Sequence, residues 1–400
     1  MTRFSGTVLA IAFAAVVAFA STGASAATRY LVVGNNNTTP TNTVSIFMVS
    51  GTSLVRVTTV ATGGSGTGGG YFAEAQQSIA QDGANTCVFA GDGGSGDISA
   101  MKIISAKPYL SVVSNYVSPD GDTASNFGLG ITVSGAYLYA NYTGGTTTPA
   151  IGIWKIGAGC TLTYVKHLQT TGINGGTIDG LVATPNGKYL VAGYGDGSVG
   201  SYAIGGGNIA LIGQEITAGS SVGAGSSAGS VAISSNGNWA IFGDFSPSNT
   251  TQLDVAAIGS NGALAATTTY GGTGSLGAGV DTNGIQLSPD NRFIYVVDSY
   301  SGQETTVAFD ATTGVVSYPN PCLTSLRGYN TNFLYASQAA AVAPSGTGTG
   351  LYISEAFLTA DSYIALLKVS PTTGCAAELP NSPFLDAAGN SLESIASFTE

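Results

Sequence analysis

The chain has 400 residues, 8% of them charged, 44% hydrophobic and 59 of them glycine, with 11 Lys and Arg against 22 Asp and Glu for a net charge of −11. Low charge with so much apolar content excludes a disordered chain, whose composition is the reverse. The acidic balance excludes nucleic acid as a partner and disfavours anionic membranes, because both need a dense basic surface.

The first segment reads as a leader. Arg3 precedes the apolar run Val8–Ala20, and Ala24-Ser25-Ala26 offers a small-residue cleavage site. This is the secretory pattern, with an apolar core too short to span a bilayer. The expected organisation is a signal peptide over 1–26 and one β domain over 27–400, secreted or periplasmic, monomeric, with no membrane insertion once the leader is removed.

Strands follow in groups. Arg29–Gly34, Thr43–Val49 and Leu54–Val60 alternate apolar and polar residues, and the Gly-rich stretch Gly63–Gly70 reads as a loop. Further groups cover roughly 72–117, 127–168, 178–216, 229–270, 283–319 and 337–380. The clearest is Gly284–Asp310, where Ile285 and Leu287 lead into a Ser288-Pro-Asp-Asn291 turn, then Phe293–Val297, then a strand ending Val307 and Phe309. Short β-branched and aromatic runs bounded by Pro, Asp, Asn and Gly are strands joined by tight turns. Leu181–Tyr194 and Val231–Asp244 repeat the pattern, and Ser78–Ala90, Ile131–Tyr142 and Ala341–Ser354 repeat it more loosely. A period of roughly 50 residues with four strands per repeat predicts an all-β propeller. The first repeat lacks its leading strand, and the tail Ser391–Thr399 carries a strand-like run. Pairing the two closes the ring and leaves no open edge. The count is then seven blades, or six if a terminal repeat is misread.

Four cysteines, Cys87, Cys160, Cys322 and Cys375, allow three disulfide pairings or free thiols. Sequence order and blade adjacency favour Cys87–Cys160 and Cys322–Cys375. With one histidine, His167, and no CxxC, a Cys/His zinc cluster is excluded. His167 falls on the outermost strand of the third repeat, where a solvated side chain is expected.

Chemistry is sought where innermost strands begin, since these line the channel. Glu74 or Gln76, Asn126, Asp179, Asn283, Gln338 and Glu393 hold comparable places there, and Arg327 and Glu355 lie in or near loops at the same mouth. Convergent polar groups in a channel are the default ligand site, against the plainer reading that they satisfy backbone groups and water. No cofactor is required. Calcium is the cation considered, held by Glu74, Asp179, Asn283 and Glu393, with the surface loops Asp92–Asp97 and Asp120–Asp122 as weaker sites. Gly219–Gly223 and Gly225–Gly229 match G-x-S-x-G and Gly64–Gly69 matches G-x-G-x-x-G, but neither has the strand–helix setting its chemistry needs.

Ser288–Asp298, SPDNRFIYVVD, and Thr184–Gly193, TPNGKYLVAG, resemble the repeat of the lactonase family, seven-bladed propellers similar to 6-phosphogluconolactonase that overlap the YVTN-type surface propellers. The resemblance implies a lactone hydrolase in which Asp179, Glu393 or Glu74 activates water and Arg327 or an amide stabilises the oxyanion, with Asn126, Asn283, Gln338 and Glu355 binding ligand. The sequence departs from a phosphosugar site, which needs clustered Arg or Lys at the mouth. Lys188 and Arg292 fall in turns on the opposite rim, so a neutral sugar lactone is the expected substrate. The alternative is a non-catalytic extracellular propeller that binds protein or glycan.

Overall fold

Each meander is set by its first turn. In Ser288–Asn291 the Ser288 hydroxyl accepts the amides of Arg292 and Phe293, both at 3.0 Å, and donates to Asp290 Oδ1 at 2.7 Å. Asn291 closes the turn with φ +56°. Thr184 and Ser234 repeat this: each accepts the amide five residues on and donates to Asn186 or Asn236, while Gly187 and Gly237 take the positive φ. The side chain thus supplies the bonds that a tight turn leaves open.

The computed structural model describes residues 28–38, 41–67, 78–124, 129–142, 149–217, 227–246, 250–271, 282–298, 302–327, 338–345, 348–355, 362–387 and 395–399. These form seven antiparallel sheets. From innermost to outermost strand, blade 1 is Ile395–Thr399, Arg29–Gly34, Thr43–Ser50 and Ser53–Ala61. Blade 2 is Ile79–Gln81, Cys87–Asp92, Asp97–Ile103 and Leu110–Val117; blade 3 is Gly130–Ser134, Tyr137–Tyr142, Ala150–Ile156 and Leu162–Gln169. Blade 4 is Ile178–Ala183, Tyr189–Tyr194, Ser198–Gly205 and Asn208–Ile216; blade 5 is Ser227–Ile233, Trp239–Ser246, Thr250–Ala257 and Thr268–Gly271. Blade 6 is Thr282–Leu287, Phe293–Asp298, Gln303–Asp310 and Val315–Ser325. Blade 7 is Gln338–Ser345, Gly348–Glu355 and Ser362–Val369, edged by the short strands Ala376–Glu378 and Phe384–Asp386. Pro380 and Pro383 stand between those two pieces, where prolines deprive a ladder of donors.

The innermost strands touch one another in sequence around the whole ring, which makes the sheets a propeller. The tail closes it as expected, with Ile395 opposite Val33 and Phe398 opposite Tyr30. The Tyr30 and Phe398 rings stack at 5.1 Å. Among the described residues the one helical element is a 3-10 turn at Ala158–Cys160, and no helix is long and apolar enough to cross a membrane.

Apolar side chains fill the spaces between blades, and polar or covalent ties fasten the junctions. Cys87–Cys160 joins blades 2 and 3 and Cys322–Cys375 joins blades 6 and 7, with Cα atoms 5.6 and 5.4 Å apart, the pairing that blade adjacency favours. Arg56 meets Asp386 of blade 7 at 3.1 Å. Asp92 ties blade 1 to blade 2, accepting from Asn42 and Thr62 at 2.8 Å and from Ser99 at 2.5 Å. The expectation of a surface loop at Asp92–Asp97 is therefore corrected: both carboxylates are buried, and burial raises the Asp92 pKa to about 6. Their oxygens are taken by these donors and by Ser95 and Asn115.

Candidate functional site at the channel mouth

Innermost strands begin at the face where second strands end, so the ring gathers seven strand starts at one mouth. In blade 4 the ladder pairs Ile178 with Tyr194 and then Gly180 with Gly193, leaving Asp179 as the extra residue of a β-bulge. In blade 6 it pairs Thr282 with Asp298 and then Gly284 with Val297, leaving Asn283 in the same position. Blade 5 has a register shift at the corresponding place, between Ser227 and Ser230. A bulge frees a residue from strand pairing and re-aims its side chain, and bulges concentrate beside active sites. Asp179 is half-buried and accepts a 3.0 Å hydrogen bond from Thr177. Gly195 lies against it, since a β-carbon there would come within 2.9 Å of Asp179 Oδ2.

Asn141 was not anticipated. It is 1% exposed on the second strand of blade 3, and its amide donates at 3.0 Å to the carbonyl of Ile178, the residue before Asp179. Its Oδ1 is buried without a partner and faces the Cα of Gly130. The signal was present in the repeats: the equivalent positions Gly34, Gly91, Gly193 and Gly243 are glycine, whereas blade 3 carries an amide.

The other expected residues divide. Gln338 begins the innermost strand of blade 7 and Glu355 ends the second strand beside it. Glu74, Gln76, Asn126 and Glu393 lie outside the described residues. Arg327 is engaged elsewhere: its Nε meets Glu378 at 3.2 Å and its terminal nitrogens donate to the carbonyls of Leu379 and Pro380, on the outer edge of blade 7. Its expected part as a free cation at the mouth is corrected accordingly. His167 does lie on an outermost strand, but it is not simply solvated. Its side chain is 24% exposed and its Nδ1 lies 2.9 Å from Asp122. The second G-x-S-x-G runs into strand Ser227–Ile233 where a nucleophile elbow would need a helix, and the first lies outside the described residues.

No protein-family profile matches the chain, and no curated protein does. Solved structures do. A periplasmic gluconolactonase from Pseudomonas aeruginosa is 15% identical with TM-score 0.69, covering 93% of this chain and 99% of that one. A Bacteroides uniformis structure provisionally named a 6-phosphogluconolactonase is 13% identical with TM-score 0.67, covering 93% and 99%. A Sulfolobus tokodaii structure described as a selenium-binding protein is 10% identical with TM-score 0.64, covering 94% and 95%. The chain thus has the seven-bladed fold of the lactonase-like propellers that its repeats resemble. One fold carries several described functions here, so activity has to be argued from the site.

Proposed function

We propose that the protein is an exported lactonase-like propeller that hydrolyses a neutral sugar lactone or related cyclic ester at the channel mouth. The observation that carries this reading is the pair of equivalent bulges holding Asp179 and Asn283. Asp179 is the general base that draws a proton from water as it attacks the lactone carbonyl, and an amide, Asn283 or Asn141, polarises the developing oxyanion. Glu393 and Glu74 are assigned to the same mouth by their places in the repeat. The leader-like segment 1–26 and the two disulfides support export, because disulfides persist in oxidising compartments. The engagement of Arg327 by Glu378 supports a substrate without phosphate.

The test is turnover of a panel of sugar lactones and their phosphorylated counterparts, with and without chelator. Neutral lactones should be opened and phosphorylated ones should not. Turnover that survives chelation assigns the chemistry to side chains, whereas loss requires a cation at the mouth. No turnover of any lactone returns the protein to the second reading, a propeller that binds glycan or protein, which the engagement of Arg327 by Glu378 and the Pro380 carbonyl also favours.

A further inference from the structure

On the outer rim, well away from the channel, blades 2 and 3 bring three metal-ligating side chains together. Asp120 and Asp122 come from the loop after the outermost strand of blade 2, and His167 comes from the outermost strand of blade 3. His167 Nδ1 lies 2.9 and 3.0 Å from the two oxygens of Asp122 and 3.6 Å from Asp120 Oδ2, and one donor atom from each residue falls within 4.8 Å of the others. An ion about 2.1 Å from each donor separates neighbouring donors by about 3.0–3.4 Å, and the imidazole–carboxylate distances of 2.9 and 3.6 Å bracket that range.

Two further features separate this cluster from a surface ion pair. Asp122 is 3% exposed, and among the described residues the two carboxylates share the one imidazole and no Lys or Arg. The negative charge is therefore in excess, and the Asp122 part of it is desolvated. Each carboxylate is also held by a hydroxyl, Asp122 Oδ2 accepting from Ser118 at 2.7 Å and Asp120 Oδ2 accepting from Tyr164. Such outer hydrogen bonds are the usual support of metal-ligating side chains.

We propose that Asp120, Asp122 and His167 form a site for one first-row divalent transition ion that bridges blades 2 and 3. One nitrogen and two carboxylates suit zinc or manganese, whereas calcium takes an all-oxygen shell. Three protein ligands leave a coordination position for water, on the side where Asp120 is 44% exposed. The site clamps the rim of the same two blades that Cys87–Cys160 joins from the turns at the other end of the strands.

Titration calorimetry of untagged, chelator-stripped protein with zinc, manganese and calcium chlorides tests this. One zinc per chain should bind, with calcium at least about 100-fold weaker. Asp122→Asn and His167→Gln should abolish binding, and Ser118→Ala should weaken it about 10- to 100-fold. Because the chain has a single histidine, cobalt should displace or broaden its one set of imidazole NMR signals. Should Asp122→Asn fail to fold, the exposed Asp120→Asn carries the same test. An imidazole untouched by cobalt, zinc binding unaltered by the Asp and His changes, or no saturable zinc binding at all would each overturn the site and leave an Asp–His ion pair.

Discussion

Glu304 faces Val297 across the ladder of blade 6, and this pair inverts the rule of the other blades. The same two positions are Gly34 and Val44, Gly91 and Ile98, Asn141 and Ile151, Gly193 and Val199, Gly243 and Leu253, and Ser354 and Ile364. An aliphatic side chain is wholly buried at the third-strand position in all of those blades, and in blade 6 a carboxyl is buried there instead. Thr306 donates to Oε1 at 2.8 Å, while Oε2 has no partner. Burial pushes its pKa up to about 8 from 4.5.

The sign of the resulting pH dependence follows. Between the two pKa values the folded state holds a proton that the unfolded chain has lost, so stability falls as pH rises through that window and levels off above it. Urea denaturation should show wild type losing stability from about pH 4.5 to about pH 8. Glu304→Gln should remove that slope and exceed wild type on the order of 5 kcal/mol at pH 9. Asp92 adds a slope of the same sign between its model-peptide value and about 6 in both proteins, so the difference between them isolates Glu304. Parallel pH curves for the two proteins would show that Glu304 carries no shifted proton.

Asp179→Asn should leave the fold and its thermal transition unchanged, since the shape is kept and the group is only half-buried. Lactone kcat should fall about 100- to 1000-fold if this carboxylate takes the proton. Full activity in the amide variant would place the base elsewhere at the mouth, with Glu393 the next to exchange.

Asn141→Gly restores the residue that four other repeats use and removes the buried, unpartnered Oδ1. Stability should change by less than about 1 kcal/mol, because the lost hydrogen bond to Ile178 is offset by relief of that oxygen. KM or kcat for the lactone should worsen, and unchanged kinetics would make Asn141 a spacer between blades.

Replacing either disulfide pair with serines should cost about 4 kcal/mol, because the cross-links close loops of 73 and 53 residues. Chemical denaturation under oxidising and reducing conditions measures it, and the two losses should add, since the pairs fasten different junctions.

Much of the fold was legible because each repeat carries its own instructions. Ser288, Thr184 and Ser234 mark the first turn of their blades through one hydroxyl, and alternation fixes which residues face inward. Cysteine pairing followed from the order of blades. The site was legible only where it depends on place within a repeat: Asp179 and Asn283 were found by counting from the turn. The contacts of His167 with Asp122, of Arg327 with Glu378 and of Asp92 with Asn42 cross from one blade to the next. A repeat alignment places equivalent residues side by side but is silent on such neighbours. Asn141 and Glu304 announce themselves only as departures from the other copies.

The strand Ile395–Thr399 pairs with Arg29–Gly34 across more than three hundred residues. The sheet whose second strand is made first is therefore the last to be completed. Until those five residues arrive, the inner edge of Arg29–Gly34 is an open template for any extended peptide. Chains with such distant pairings fold slowly and stay open to mispairing meanwhile. It also makes the closing strand a separable part. A chain ending at residue 390 should have a receptor groove shaped for its own tail, and a synthetic peptide of residues 391–400 added in solution should restore the ring by strand donation.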